Sequence, residues 1–342
     1  MSQYWIKWTS LVFLGLVAIA TANANAAEEP LRIRSVFDVH SAFCAIKTNG
    51  VLGMDNRHSA VAGRGFGTAS TNALMMLENG ENEITVEIGA LDWFLPGNNS
   101  DNAHKAFAPD ARCKVALTAF KGKETSVLTQ FTIAIGQDGI PYVQSGGEAE
   151  PGKMGKVTVK KIRAQQVEKG HFPSDYFIDN YFPAGMELYQ FTQKIYLKNI
   201  PEWKWTTATP FTGTPEQVHA LQMAYLELWG HFANKDDVKI KKYISESLEP
   251  WAKTTGSSID EIYNDSGFKR FLKSKSFKMH PINWSDYTIE SMNKNRMVRF
   301  VNKSDPTISP LSYSVKDEDG DDSLGDYAPI FSLINGKFIP VI

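Results

Sequence analysis

The chain has 342 residues, 42% of them apolar and 22% charged, with 36 basic against 38 acidic side chains. That slightly acidic balance argues against nucleic acid as the main partner, which favours a basic excess. The length is enough for two domains of ordinary size.

The first 26 residues read as a targeting segment. Lys7 and the amino terminus supply positive charge, and residues 11–20 (LVFLGLVAIA) are apolar. A run of about ten residues is too short to span a bilayer comfortably. Ala24-Asn25-Ala26 fits the small-x-small cleavage pattern. We therefore expect a signal peptide over residues 1–26 and a periplasmic protein of a Gram-negative-type envelope, without a membrane span after cleavage. Cys44 and Cys113 are the only cysteines, and an even pair in an exported chain predicts a disulfide. Closing a loop of roughly 70 residues would stabilise by about 4 kcal/mol in the chain-entropy description.

Residues 27–205 read as strands and loops. Residues 41–47 predict a strand that Asn49-Gly50 turns into a hairpin. The glycines at 63, 65 and 67 lack the strand-then-helix context of a phosphate loop and predict an ordinary loop. Residues 84–88 (ITVEI) alternate as a strand should. Residues 92–112 predict a long loop carrying Trp93 and Phe94. Residues 113–121 and 125–135 predict a hairpin around Gly122-Lys123, with Val127, Thr129, Phe131, Ile133 and Ile135 on one face. Residues 156–163 (KVTVKKIR) read as a lysine-bearing edge strand, and residues 188–198 as the last good strand. Such a series points to an all-β sandwich. Asn49-Gly50-Val51, with Gly80-Glu-Asn82-Glu-Ile84-Thr-Val86, resembles the jelly-roll modules of the galactose-binding-like class. That resemblance implies fold, and leaves the ligand open.

Residues 206–213 are rich in Thr, Pro and Gly, and the apolar period changes across them, so they predict a linker. Thr214, Pro215 and Gln217 then open a helix with the pattern of a capping box. Val218, Leu221, Tyr225, Leu228 and Phe232 form its apolar stripe. A second helix is expected from Asp236 or Asp237 to about Lys253, and a third from the capping box Ser258–Glu261. Strands are expected over residues 283–292, 297–302, 311–315 and 330–341. Three helices followed by an antiparallel sheet resembles the cone-shaped α+β fold of the nuclear-transport-factor-2-like class, here over residues 214–342. Enzymes of that class place an acid or histidine in the cone mouth, a place Tyr225, His231 and Asp237 could take only if the cone is open.

No nucleophile elbow, metal-ligand spacing or cofactor motif is present, so neither a catalytic residue nor a metal or cofactor is expected. Two segments look like recognition surfaces instead. Residues 172–183 (FPSDYFIDNYFP) mix acids with aromatics, among them Tyr176, Phe177, Tyr181 and Phe182. Residues 317–326 hold six acidic residues in ten, including Asp319, Asp321 and Asp322, and predict an acidic hairpin tip. Trp93, Phe94, Trp203 and Trp205 offer rings that could stack on sugars. These features favour a non-catalytic binding protein with a protein partner, of inhibitor or immunity type. The alternatives are a glycan- or envelope-binding protein acting through the sandwich, and a small-molecule enzyme in the C-terminal cone.

Overall fold

The computed structural model describes residues 29–95, 106–144, 155–173, 181–316 and 320–342. The targeting segment, Tyr176, Phe177 and Asp319 lie outside them.

The N-terminal part is built of strands, with one short α-helix, α1 (Arg57–Val61), among the described residues. Ten strands form two five-stranded antiparallel sheets. One runs in the order β4 (Gly67–Asn72), β1 (Arg32–His40), β6 (Arg112–Lys121), β7 (Glu124–Ile135), β8 (Pro141–Gln144). The other runs β3 (Val51–Asp55), β2 (Ala42–Thr48), β5 (Gly80–Ala90), β10 (Glu187–Leu197), β9 (Thr158–Arg163). Their inner faces share one apolar core, with Ile33, Phe37 and Val115 from the first sheet meeting Ile46, Val86 and Phe191 from the second. The expected hairpins are present. Asn49 and Gly50 turn β2 into β3 with φ of 50° and 82°, the left-handed pair a tight hairpin turn favours. Lys121 and Glu124 close β6 onto β7.

One face assignment is corrected. A bulge after Leu117 leaves Leu128 without a direct partner, so Thr129, Phe131 and Ile133 point inward while Val127 is exposed. One extra residue reverses the alternation beyond it.

β2 is buried on both sides. Ala42, Cys44 and Ile46 face the sandwich core, whereas Phe43 and Ala45 belong to a smaller cluster on the outer face with Met186 and Leu188. Gly89 on β5 allows that cover, because a Cβ there would stand 2.6 Å from Met186 and 2.7 Å from Leu188.

The C-terminal part combines helices with two antiparallel sheets. α2 (Pro215–Ala233) starts where expected, and Thr214 accepts from the Gln217 amide at 3.4 Å. The Gln217 side chain, however, takes the amide of Thr212 at 2.7 Å, so the box closes two residues further upstream than its pattern suggests. The expected second helix is broken at Ile244 into α3 (Asp237–Tyr243) and α4 (Ser245–Thr255). α5 (Ile259–Asp265) carries the predicted capping box, and α6 (Phe268–Lys273) follows. A three-stranded sheet holds β11 (Lys278–Met279), β14 (Ser312–Lys316) and β15 (Asp322–Asp326). A four-stranded sheet holds β12 (Tyr287–Met292), β13 (Met297–Asn302), β16 (Phe331–Ile334) and β17 (Lys337–Pro340). α2 lies on this second sheet through Tyr225, whose ring meets Phe300 at 5.5 Å and Phe331 at 4.7 Å.

The apolar core does not stop at residues 206–213. Met292, Met297, Ile330 and Val341 pack into the sandwich cluster beside Trp203 and Trp205. Thr209 also pairs with Leu333 of β16.

Candidate functional site

The short helix α1 (Arg57–Val61) is the key to the site, and its placement starts at Asn56. The Asn56 side chain accepts the amide of Cys44 at 2.7 Å and donates to the carbonyl of Ala42 at 2.9 Å. It thus replaces a strand partner on β2 just where β3 turns away. Asp55 caps the step by accepting the Arg57 amide at 2.9 Å. Arg57 is thereby held over the outer face of the second sandwich sheet, 6% exposed.

A cleft of 380 Å³ opens there between this sheet and the C-terminal four-stranded sheet. Its apolar wall is Phe43, Ile162, Phe182 and Leu188. Its polar wall carries two ion pairs. Lys47 reaches Glu87 at 2.7 Å, and Gln190 donates to the same Glu87 oxygen at 2.7 Å. Across the cleft, Arg299 pairs with Glu290, its direct cross-strand partner, at 2.7 Å.

Arg57 stands apart from these pairs. Its guanidinium lies 4.3 Å from the centre of the Tyr181 ring, a cation–π contact that fixes its plane. Its Nε is buried and has no hydrogen-bond partner among the described residues. Such an orphan donor costs about 1–3 kcal/mol unless something supplies an acceptor. Burial pushes the Tyr181 phenol up to about 12; Arg57 opposes that shift, and Asp55 and Glu290 add to it. Tyr181 is therefore a neutral hydroxyl at physiological pH, and its oxygen lies 3.3 Å from that of the Gln165 side chain.

Of the residues singled out from sequence, Tyr181 and Phe182 form one wall of this cleft. Phe94 backs it through Phe43 and Phe182, at 6.0 and 6.3 Å, with Trp93 packed on the same cluster. Trp203 and Trp205 are buried, and their indole N–H groups donate to the backbone of residues 74–77, which removes both as sugar-stacking rings. Asp321 and Asp322 lie exposed where β14 runs into β15, with Lys316 3.3 Å from Asp322. They are not in the cleft. Sequence reasoning missed Arg57, although Asp55-Asn56, a turn-forming pair just ahead of it, is a usable signal.

The two thiols are free, both fully buried, and face each other across the sandwich core from β2 and β6. Burial, and after it the neighbouring Cys113, push the Cys44 thiol well above its ordinary value.

Of the positions considered for a cone mouth, His231 is half-buried, its ring 5.8 Å from that of Tyr243. Tyr225 is fully buried, donating to Pro329 and accepting from the Phe300 amide. Asp237 accepts from the Tyr263 hydroxyl at 2.7 Å. A recess of 270 Å³ beside α4 does hold Asp326 and Tyr327. Burial of its carboxyl pushes Asp326 up to about 6, although the residue keeps open surface at the rim, and it accepts the Ser309 amide at 2.8 Å. No histidine lines that recess among the described residues.

Among the described residues, no group of three or more His, Cys, Asp or Glu is placed to hold a metal, and no helix is long and apolar enough to cross a membrane. No protein family, curated protein or solved structure matches this chain.

Proposed function

We propose that the chain is an exported, non-catalytic binding protein whose ligand site is the cleft over Arg57. The observation that carries this reading is a buried guanidinium with an unsatisfied Nε at the wall of a 380 Å³ cavity. Cavities of about 300–1,000 Å³ with few, well-placed polar groups are the usual form of small-ligand sites. The described lining pairs no serine, cysteine or histidine with a base, which favours recognition over chemistry. Within this class, the inhibitor or immunity-type reading with a periplasmic protein partner rests on the signal-like N-terminus, the exposed acids of the β14–β15 tip and the Tyr181–Phe182 edge. The finer fold readings, a jelly-roll sandwich and a nuclear-transport-factor-2-like cone, are supported by the turn chemistry and by α2 packing across a sheet.

The test is a thermal-shift series with small anions. Ligands that bind only the folded state raise its melting temperature with concentration. We expect at least one anion to raise it for the wild type and not for Arg57→Gln. No shift with any anion up to millimolar concentration overturns the cleft as an anion site.

Export also bears on the cysteine pair. We propose that Cys44 and Cys113 are bridged in the oxidising compartment, since the thiols already face each other. Intact mass of unreduced protein from the periplasm should be lower by two hydrogens than after reduction, and two titratable thiols in the unreduced, unfolded chain would exclude the bridge.

A further inference from the structure

We infer that the cleft takes a carboxylate carried on an apolar body. This rests on the cleft being a binding site, and adds which chemical class it selects.

The charge balance sets the first limit. The cleft is lined by Lys47, Arg57, Arg163 and Arg299 against Asp55, Glu87 and Glu290, a formal excess of one positive charge. Lys47 and Arg299 are each committed to a carboxylate of the wall. A single negative charge balances this site, whereas a dianion such as phosphate would face Glu87 and Glu290 with one buried cation to hold it. Arginine's planar fork matches the two oxygens of a carboxylate through two parallel N–H donors. The ring of Tyr181 covers the guanidinium plane, so a ligand in the cleft meets Arg57 at the guanidinium edge.

Shape sets the second limit. Beyond the Tyr181 ring the wall is apolar, with Phe182 5.0 Å from Tyr181, Phe43 set edge-on against Phe182 at 5.2 Å, and Leu188 in the same lining. A purely polar ion would leave that wall wet. A ring or short alkyl chain would cover it and place its carboxylate at Arg57. The source of the carboxylate is either a free small acid or the end of a peptide chain, and the same contacts serve both.

The experiment is calorimetric titration of the full exported chain with 3-phenylpropionate, its neutral amide, inorganic phosphate, and Gly-Gly-Phe with a free or amidated terminus. We expect 3-phenylpropionate to bind and its amide to bind at least tenfold more weakly. Arg57→Gln should lose the preference for the acid, and Arg57→Lys should recover only part of it, because an ammonium keeps the charge without the fork. The acid–amide comparison on the wild type stands even where a variant folds poorly. Tighter binding of the free-ended tripeptide than of 3-phenylpropionate assigns the source to a chain terminus; the reverse assigns a small acid. Equal binding of acid and amide overturns the inference. Binding of phosphate without either carboxylate also overturns it while leaving the anion cleft intact, and binding of none overturns both.

Discussion

The sandwich and the C-terminal sheet meet at two polar patches built on opposite terms. At the first, the β2–β3 turn meets the β12–β13 turn. Asn49 donates to Met76 and Asn82 and accepts from the Glu83 amide, at 2.7–2.9 Å. The Asn293 amide donates to the Asn49 carbonyl at 2.8 Å. Beside them Glu78 holds Lys294 at 2.5 Å and Arg296 at 2.6 Å. This patch contributes none of the buried orphan atoms among the described residues. Both patches border a cavity, of 310 Å³ at the first and 380 Å³ at the second, but at the second, the Arg57 cleft, a cation of similar burial lacks an acceptor on Nε. The contrast separates a latch, whose buried side-chain polar atoms all find partners among the described residues, from the proposed site, where one buried donor has none.

The largest effect should come from breaking the latch at its charge. The Glu78 side chain is 12% exposed and answers two cations, one of them, Arg296, equally shielded and stacked over Trp205. Removing one partner of a shielded pair strands the other. Glu78→Ala should therefore cost about 3 kcal/mol in a denaturant titration; a loss under about 1 kcal/mol would make the pair a surface contact. The same pairing predicts a pH dependence. Burial raises the Glu78 carboxyl, but hydrogen bonds from Arg296 and Lys294 outweigh it and hold the group below its usual 4.5. Its stabilisation is then present above that value and lost as pH falls through the depressed folded value. Wild-type stability should drop below pH 4.5 more steeply than that of Glu78→Gln, and parallel curves would break the argument.

A smaller effect is expected at Asn49, which is 7% exposed with φ of 50°. Asn49→Ala abandons three hydrogen bonds, leaves the Glu83 amide without its acceptor and puts a non-glycine residue without a polar side chain into a left-handed turn. About 2 kcal/mol should be lost. Asn49→Gly, which keeps the turn but loses the bonds, separates the two causes.

Local signals made much of this legible in sequence. Asn-Gly and Gly-Lys turns fixed the hairpins, period-two runs fixed most strands, and capping residues fixed α2 and α5, because those preferences act within a few residues. Residues 317–326 predict an acidic hairpin tip, whereas Asp322–Asp326 (DSLGD) forms β15: its polar, glycine-bearing composition carries no strand signal, and pairing with β14 makes it a strand. Beyond the Asp55-Asn56 turn signal, the burial of Arg57 is hidden from the sequence for a related reason. Its burial depends on Asn56 bridging to β2 and on Tyr181 folding back over it, neither of which leaves a periodic trace. The core contributions of Met292 and Val341 to the sandwich likewise arise from chain return, so the change of period near residue 210 marks a change of secondary structure while the packing runs through it.

The smallest effect on stability should come from Arg57, and its smallness is the informative part. The cation resembles Arg296 in burial and in lying over an aromatic ring, so a structural role for both would predict similar losses. Arg57→Gln gives up a cation–π contact, about 1 kcal/mol, but also removes a buried N–H that no acceptor serves, a penalty of similar size. The two nearly cancel, and the variant should stay within about 1 kcal/mol of wild type while Arg296→Gln loses two to three times that amount. Urea unfolding of the two variants side by side measures the difference. A loss at Arg57 as large as at Arg296 would mean that the guanidinium holds the two parts together, and the comparison between latch and site would collapse. Near-neutrality at Arg57 would favour the proposed binding role over a structural one.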